Sequence, residues 1–192
     1  LNKMPTSVST ISDCVDHAFN PNLINSPRPT LDSIIVKPMH SNKTHRTGSL
    51  KINGKSLPSQ KEWLIEGRAL VTDVPITYLG YVNRDTGIIE EKGHPLDGTA
   101  IEDTILIYPK GSGSTVAPFV LMGLIYTGKG PKAIVNCDVC PLTLPAASLL
   151  NVPYAHGFES DPTLEVNTGD QISVKLNGGV VHLSVMSRVS ED

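Results

Sequence analysis

The stretch Ile105-Leu-Ile-Tyr-Pro-Lys-Gly-Ser-Gly-Ser-Thr-Val-Ala-Pro-Phe-Val-Leu-Met-Gly-Leu constrains the fold more than any other part of the chain. A short run of branched and aromatic apolar residues reads as a buried strand, a Gly/Ser segment interrupts it, and apolar residues at helical spacing follow. Such a strand, loop and helix are built like an anion site. Gly111 and Gly113 let backbone N–H groups crowd toward a ligand, and the helix offers free N–H groups and the positive end of its dipole. Ser114 stands at the mouth of that helix, either as a cap or as a reactive hydroxyl.

In the helix, Val116, Phe119, Val120 and Leu124 fall on one face, which the spacing predicts will pack on a sheet, with Gly123 on the same face allowing close approach. Pro118 is tolerated only near the helix start, and Thr127-Gly-Lys-Gly-Pro131 stops it. Ala133-Ile-Val-Asn136 reads as the next buried strand, so strand, helix and strand within about thirty residues make a right-handed βαβ unit with parallel strands. Trp63-Leu-Ile-Glu-Gly-Arg-Ala-Leu-Val is strand-like, Asp85-Thr86-Gly87 is a turn, and a second short helix is expected from Pro145 to Leu150. Gln171 to Leu176 alternates up to Asn177-Gly178-Gly179, and Val180 to Val185 returns as the other arm of a hairpin. Parallel and antiparallel strands are therefore mixed.

Composition narrows the partners. The chain of 192 residues is 39% hydrophobic, enough for one sizeable core, and its 16 basic and 19 acidic residues are interleaved to a net charge of -3. That balance gives no electrostatic footprint for nucleic acid or anionic lipid and leaves proteins and small molecules as the expected partners. The longest apolar run, Phe119 to Tyr126, is far too short to span a bilayer, and the first residues lack the order of a signal peptide. Cys14, Cys137 and Cys140 are an odd, sparse set that suits a reducing compartment, so the expected location is cytoplasmic. Residues 1–61, rich in Ser, Thr, Asn and Pro with no sustained period, read as an irregular extension or linker ahead of a folded domain over 62–192. Leu31-Asp-Ser-Ile-Ile-Val in that arm is apolar enough to dock on a core or a partner.

A set of blocks lies in order along the chain: Gly67-Arg-Ala-Leu-Val-Thr-Asp-Val-Pro-Ile, Leu79-Gly80, Asp85-Thr-Gly-Ile-Ile, His94-Pro-Leu, Gly111-Ser-Gly-Ser-Thr-Val, Pro131-Lys-Ala-Ile-Val-Asn and Thr168-Gly-Asp. Together they resemble the small subunit, or swivel domain, of the aconitase X family, a group that includes phosphomevalonate and 3-hydroxyproline dehydratases. The resemblance runs from Glu66 to Leu183. It implies an α/β fold of the swivelling β/β/α type that closes over a large subunit carrying an iron–sulfur cluster, with no cofactor bound by this chain itself. It implies a hydro-lyase acting on a small hydroxy acid, mevalonate 5-phosphate ahead of cis-3-hydroxy-L-proline. It also implies Ser114 as general base, with Gly111, Ser112, Gly113 and Thr115 as the anion-cradling, substrate-binding loop. The chain departs from many relatives in having Ser112 where they carry arginine, Ala117-Pro118 where they carry Gly-Ser, and Tyr81 where a glycine is common. Serine cannot replace an arginine's bidentate grip on a carboxylate or phosphate. The other reading is a non-catalytic binding or scaffold module that kept the swivel fold.

Each sharp assignment has a plain rival. Ser114 serves as well for an ordinary helix cap, and Ser112 and Thr115 for satisfying the loop's own backbone. Cys137-Asp-Val-Cys140 has the spacing of redox and metal motifs, but one pair supplies two ligands where structural zinc and iron–sulfur sites use four. Buried small hydrophobes are expected there, no metal is assigned, and a thiol redox protein is a further alternative that requires a lowered thiol pKa. His94 is expected on a surface loop, His17, His40 and His45 in solvent, and His156 and His182 in apolar surroundings. Asp73 and Asp170 read as turn or capping residues.

Overall fold

In the computed structural model, which describes residues 50–189, β1 (Lys51–Ser56) and β2 (Trp63–Val71) precede a short kinked helix, α1 (Tyr78–Tyr81). Then come β3 (Ile105–Tyr108), α2 (Ala117–Tyr126), β4 (Ala133–Asn136), α3 (Leu144–Leu149), β5 (Tyr154–His156), α4 (Pro162–Glu165), β6 (Gln171–Asn177) and β7 (Val180–Ser187). The strands close into a barrel in the order β1-β5-β4-β3-β2-β6-β7. β2, β3, β4 and β5 run parallel to their neighbours among themselves, and the other pairings are antiparallel, including the closing pair of β1 with β7.

The unbroken apolar runs of β3 and β4 follow from burial on both faces. Ile105, Ile107, Ala133 and Val135 point into the barrel with Ile172, Val174, Val181 and Leu183 of the hairpin. Leu106, Tyr108 and Ile134 point the other way, under a helical layer that supplies Ala117, Val120, Leu121, Leu124, Ala146 and Ala147. The β3–α2–β4 unit has the parallel pairing expected of it, Ile105↔Ala133 through Tyr108↔Asn136. The hairpin turns on Gly178 and Gly179, whose φ of 58° and 80° match a type I′ turn.

Several expectations need correction. The arm expected to be irregular through residue 61 contains β1, which pairs with both β5 and β7 and so is an integral stave of the barrel. Lys51-Ile-Asn-Gly-Lys-Ser carries one strong apolar residue, so its strand character depends on partners distant in sequence. On α2 the buried stripe is Ala117, Val120, Leu121 and Leu124, whereas Val116 and Phe119 are 48% and 68% exposed. The regular helix begins at Ala117, and each residue turns about 100° around the axis, so a one-residue change in the stripe swings Phe119 into solvent. Gly123 is likewise on the open side, with nothing within 4 Å of the place a Cβ would take. α3 starts one position earlier than expected, at Leu144. No helix among the described residues is long and apolar enough to cross a membrane.

Candidate active site

Segments 72–77, 109–116 and 137–143 leave the carboxyl ends of the adjacent parallel strands β2, β3 and β4, the end where sites collect in open α/β sheets. The middle segment holds all the sequence-predicted site residues, and the flanking segments hold it in place. Ile76 pairs with Gly111 in a parallel bridge, and Ser112 N–H donates to Ile76 O at 2.9 Å. Thr77 Oγ1 and Ser112 Oγ are hydrogen-bonded at 2.6 Å. On the other side Gly111 N–H donates to Cys140 Sγ at 3.2 Å. A Cβ on Gly111 would stand 3.2 Å from Leu142 Cβ, so the loop packs on segment 137–143 at a distance set by a missing side chain. Gly113 has φ +89°, a left-handed conformation that glycine adopts without strain.

Ser114 opens the turn that winds into α2. Its carbonyl accepts from Ala117 N–H at 2.9 Å, and its exposed Oγ accepts from Val116 N–H at 3.2 Å. It therefore caps a serine turn ahead of the helix, and the N-cap position itself belongs to Val116. The first N–H groups of α2 are partly engaged by these turn bonds, so the free donors lie one turn earlier than the sequence suggests. Among the described residues the N–H groups of Gly113, Ser114 and Thr115 find no acceptor. Consecutive unpaired amides are the groups from which anion-binding concavities are built, and the positive end of α2 lies just beyond them.

Beneath the loop lies a buried hydroxyl cluster that sequence reasoning did not anticipate. Tyr108 Oη is hydrogen-bonded to Thr143 Oγ1 at 2.9 Å, Asn136 Nδ2 donates to Tyr108 O at 3.0 Å, and Cys140 N–H donates to Tyr154 Oη at 3.0 Å. Burial pushes the Tyr108 hydroxyl up to about 12 against the opposing pull of its hydrogen bonds, and raises Tyr78 and Tyr154 as well. These groups are neutral scaffolding under the loop. Sequence reasoning also missed the contact of Thr77 with Ser112: Thr77 falls between the blocks ending at Ile76 and beginning at Leu79, and no local pattern links it to a residue 35 positions away.

The cysteines behave differently from each other. Cys140 is buried against Gly111, as a small hydrophobe would be. The Cys137 thiol donates to Asp161 Oδ1 at 3.3 Å, and burial, with the hydrogen bond and charge of Asp161, pushes it up to about 12. That is the reverse of the lowered pKa a redox cysteine needs. No group of three or more His, Cys, Asp or Glu able to hold a metal occurs among the described residues, so these side chains do not fit an iron–sulfur cluster.

The remaining candidates divide. His94 is buried at 7% exposure, not on a surface loop: Nδ1 accepts from Leu96 N–H at 3.1 Å and Nε2 has no partner among the described residues. The turn around Pro95 folds the ring inward, a placement that the charged residues before it hide. His182 is exposed and bonds Asn53 Oδ1 at 2.8 Å, because it falls on the outward register of β7, while His156 is half-buried and burial lowers its pKa. Asp170 is a structural turn residue, fully buried, accepting from Asn167 N–H and Val189 N–H and paired with Arg188. Asp73 is exposed. Cys14, His17, His40, His45 and the Leu31 segment lie outside the described residues.

Residues 51–183 match the family model of the aconitase X swivel domain. The phosphomevalonate dehydratase small subunit of Methanocella arvoryzae is 36% identical over 118 residues, 62% of this chain and 89% of that protein. The corresponding small subunit of Methanosarcina acetivorans is 31% identical over 134 residues, 70% of this chain and 91% of that protein. The crystal structure of Thermococcus kodakaraensis aconitase X in its holo-form superimposes with a TM-score of 0.61 at 28% identity, covering 70% of this chain and 98% of that one.

Proposed function

The chain belongs to the aconitase X swivel-domain family, and from that premise we propose that it is the small subunit, or swivel domain, of a two-part dehydratase that removes water from a small hydroxy acid. The names of its relatives favour mevalonate 5-phosphate as the substrate over cis-3-hydroxy-L-proline. The observation that carries the reading is the exposed Ser114 hydroxyl beside the unpaired amides of Gly113, Ser114 and Thr115, at the carboxyl end of β3. Those amides suit a carboxylate or phosphate oxygen of the substrate, with Gly111 and Ser112 shaping the cradle from one side.

Ser114 Oγ is the atom assigned to take the substrate proton. The Val116 N–H already directed at Oγ, and the positive end of α2, favour negative charge on it. A helix N-terminus contributes up to about 2 kcal/mol, or roughly 1.5 pK units, which does not make an alkoxide at neutral pH. The remaining activation has to come from groups and water exclusion supplied by a large subunit, so the chain alone is inactive. An iron–sulfur cluster, whose chemistry would be to act as a Lewis acid on the substrate, is assigned to that subunit, since the described side chains offer no donor set for it. The exposed apolar side chains of Val116 and Phe119, within the first turns after Ser114, support a partner that covers this end of α2.

The test is affinity capture of the full chain from its native extract, with iron analysis of what co-purifies, followed by dehydration assays on mevalonate 5-phosphate and cis-3-hydroxy-L-proline. A stoichiometric, iron-containing partner and turnover of either acid are expected. Capture of no such partner would overturn the assignment in favour of a non-catalytic module with the same fold.

A further inference from the structure

Thr77 precedes the turn Tyr78–Tyr81, in which Leu79 and Gly80 have non-helical backbone angles, and its side chain makes no hydrogen bond to that turn. Its hydroxyl meets Ser112 Oγ at 2.6 Å instead. Its methyl Cγ2 lies 2.9 Å from where a Cβ on Gly113 would stand, so the threonine touches two consecutive residues of the serine loop.

The backbone bridge between the two segments stops at this point. Ile76 N–H donates to Lys110 O at 3.2 Å and Ser112 N–H donates to Ile76 O at 2.9 Å. Past Ser112 the chain turns through Gly113, which has no side chain to anchor and a φ of +89°. The next bonds, Val116 N–H to Ser114 Oγ and Ala117 N–H to Ser114 O, lie within the loop and α2. Among the described residues, the Thr77 side chain thus makes the last hydrogen bond that reaches the loop from outside before Ser114.

The geometry points to Thr77 as the positioning residue of the serine loop: its hydroxyl fixes Ser112 and thereby sets where Ser114 Oγ and the unpaired amides stand, while its methyl only packs beside Gly113. The two hydroxyls share one hydrogen bond and so consume one of their two protons, which leaves a neutral O–H donor at the rim of the anion cradle. The inference rests on the function proposed above for Ser114. Its consequence is kinetic, because a reacting group held slightly out of place loses rate more than binding.

Thr77→Val removes the hydroxyl at nearly constant shape, and Thr77→Ser keeps the hydroxyl without the methyl. In the full chain, Thr77→Val should speed hydrogen exchange at the Ser112 amide by roughly ten-fold while the amides of β3 stay protected. In the complex with its large subunit it should lower kcat by roughly ten-fold with a smaller change in KM, and Thr77→Ser should recover most of both effects. Unchanged exchange at Ser112 in Thr77→Val overturns the inference, as does a loss of kcat that Thr77→Ser fails to recover. If the parent complex dehydrates neither acid, the proposed function fails, and the exchange comparison alone decides whether Thr77 holds the loop.

Discussion

The hydroxyls of Tyr78 and Tyr108 meet at 2.8 Å with both side chains fully buried, their rings edge-on at 73° and 6.3 Å apart. Tyr78 begins the helix that follows Thr77, and Tyr108 is the last residue of β3, immediately before the serine loop. Through Thr143 Oγ1, 2.9 Å from Tyr108 Oη, the same chain of hydroxyls reaches the residue preceding α3. The segments that meet at the site are thus joined underneath by hydrogen bonds that water does not reach.

Tyr108→Phe removes the middle member of this chain and leaves two buried hydroxyls short of a partner. The expected loss of stability is about 1–3 kcal/mol, read as a lower denaturation midpoint in urea at unchanged slope. A variant as stable as the parent would mean that the buried chain contributes nothing net.

Alkali should unfold the protein through the same tyrosines. Burial raises Tyr78, Tyr108 and Tyr154 in the folded state, Tyr108 to about 12 from an ordinary 10.0, so the folded state keeps protons that the unfolded chain loses. Their contribution is full below pH 10 and is lost as pH rises toward and through the folded values, at about 1.4 kcal/mol per pH unit for each group while it is charged only in the unfolded chain. In an absorbance titration, three of the five tyrosines should ionise only together with the loss of near-UV dichroism. Ionisation of all five ahead of that loss would contradict the buried placement.

Ser114→Ala should leave the unfolding midpoint nearly unchanged, because Oγ is exposed and its one bond is to a nearby amide. In the complex, turnover should fall by roughly 10²–10⁴-fold, the usual range for a lost general acid or base. Undiminished turnover would return Ser114 to the role of a turn residue.

Phe119→Asp places a charge on a side chain that is 68% exposed and in the first turn of α2. The free chain should fold as before, and capture of the large subunit should weaken by at least ten-fold, about 1.4 kcal/mol or more. Equal capture by parent and variant would move the interface away from this face.

Cys137 should alkylate slowly at neutral pH, with a rate that climbs with pH toward about 12, since burial and the Asp161 carboxylate oppose the thiolate. Peptide-resolved iodoacetamide labelling checks this, and Asp161→Asn should shift the profile downward. Fast labelling at pH 7 would restore the redox reading of Cys137 and Cys140.

The parts of the fold carried by short-range pattern were legible in advance. The apolar run of β3, the glycines of the loop, the stop after Tyr126 and the Asn-Gly-Gly hairpin each act within a few residues, and the structure has them where the sequence puts them. β1 was not legible, because Ile52 alone points strongly inward and the strand exists through its pairing with β7, more than a hundred positions on. The buried stripe of α2 was read one position off, since an almost wholly apolar helix has no polar face to fix its rotation.

The same division holds at the site. The chain by itself determined that a Gly/Ser turn, with Ser114 at the head of a helix, would leave the end of a buried strand, because glycine conformation, proline placement and helical spacing are local properties. Only the tertiary structure decided that the Thr77 hydroxyl would meet Ser112, that Cys140 would receive the amide of Gly111, and that His94 would turn inward. Those contacts join residues from segments that the parallel sheet brings side by side, or turn on how a loop folds against the core, and hydrogen bonds of that kind leave no periodic mark on the sequence.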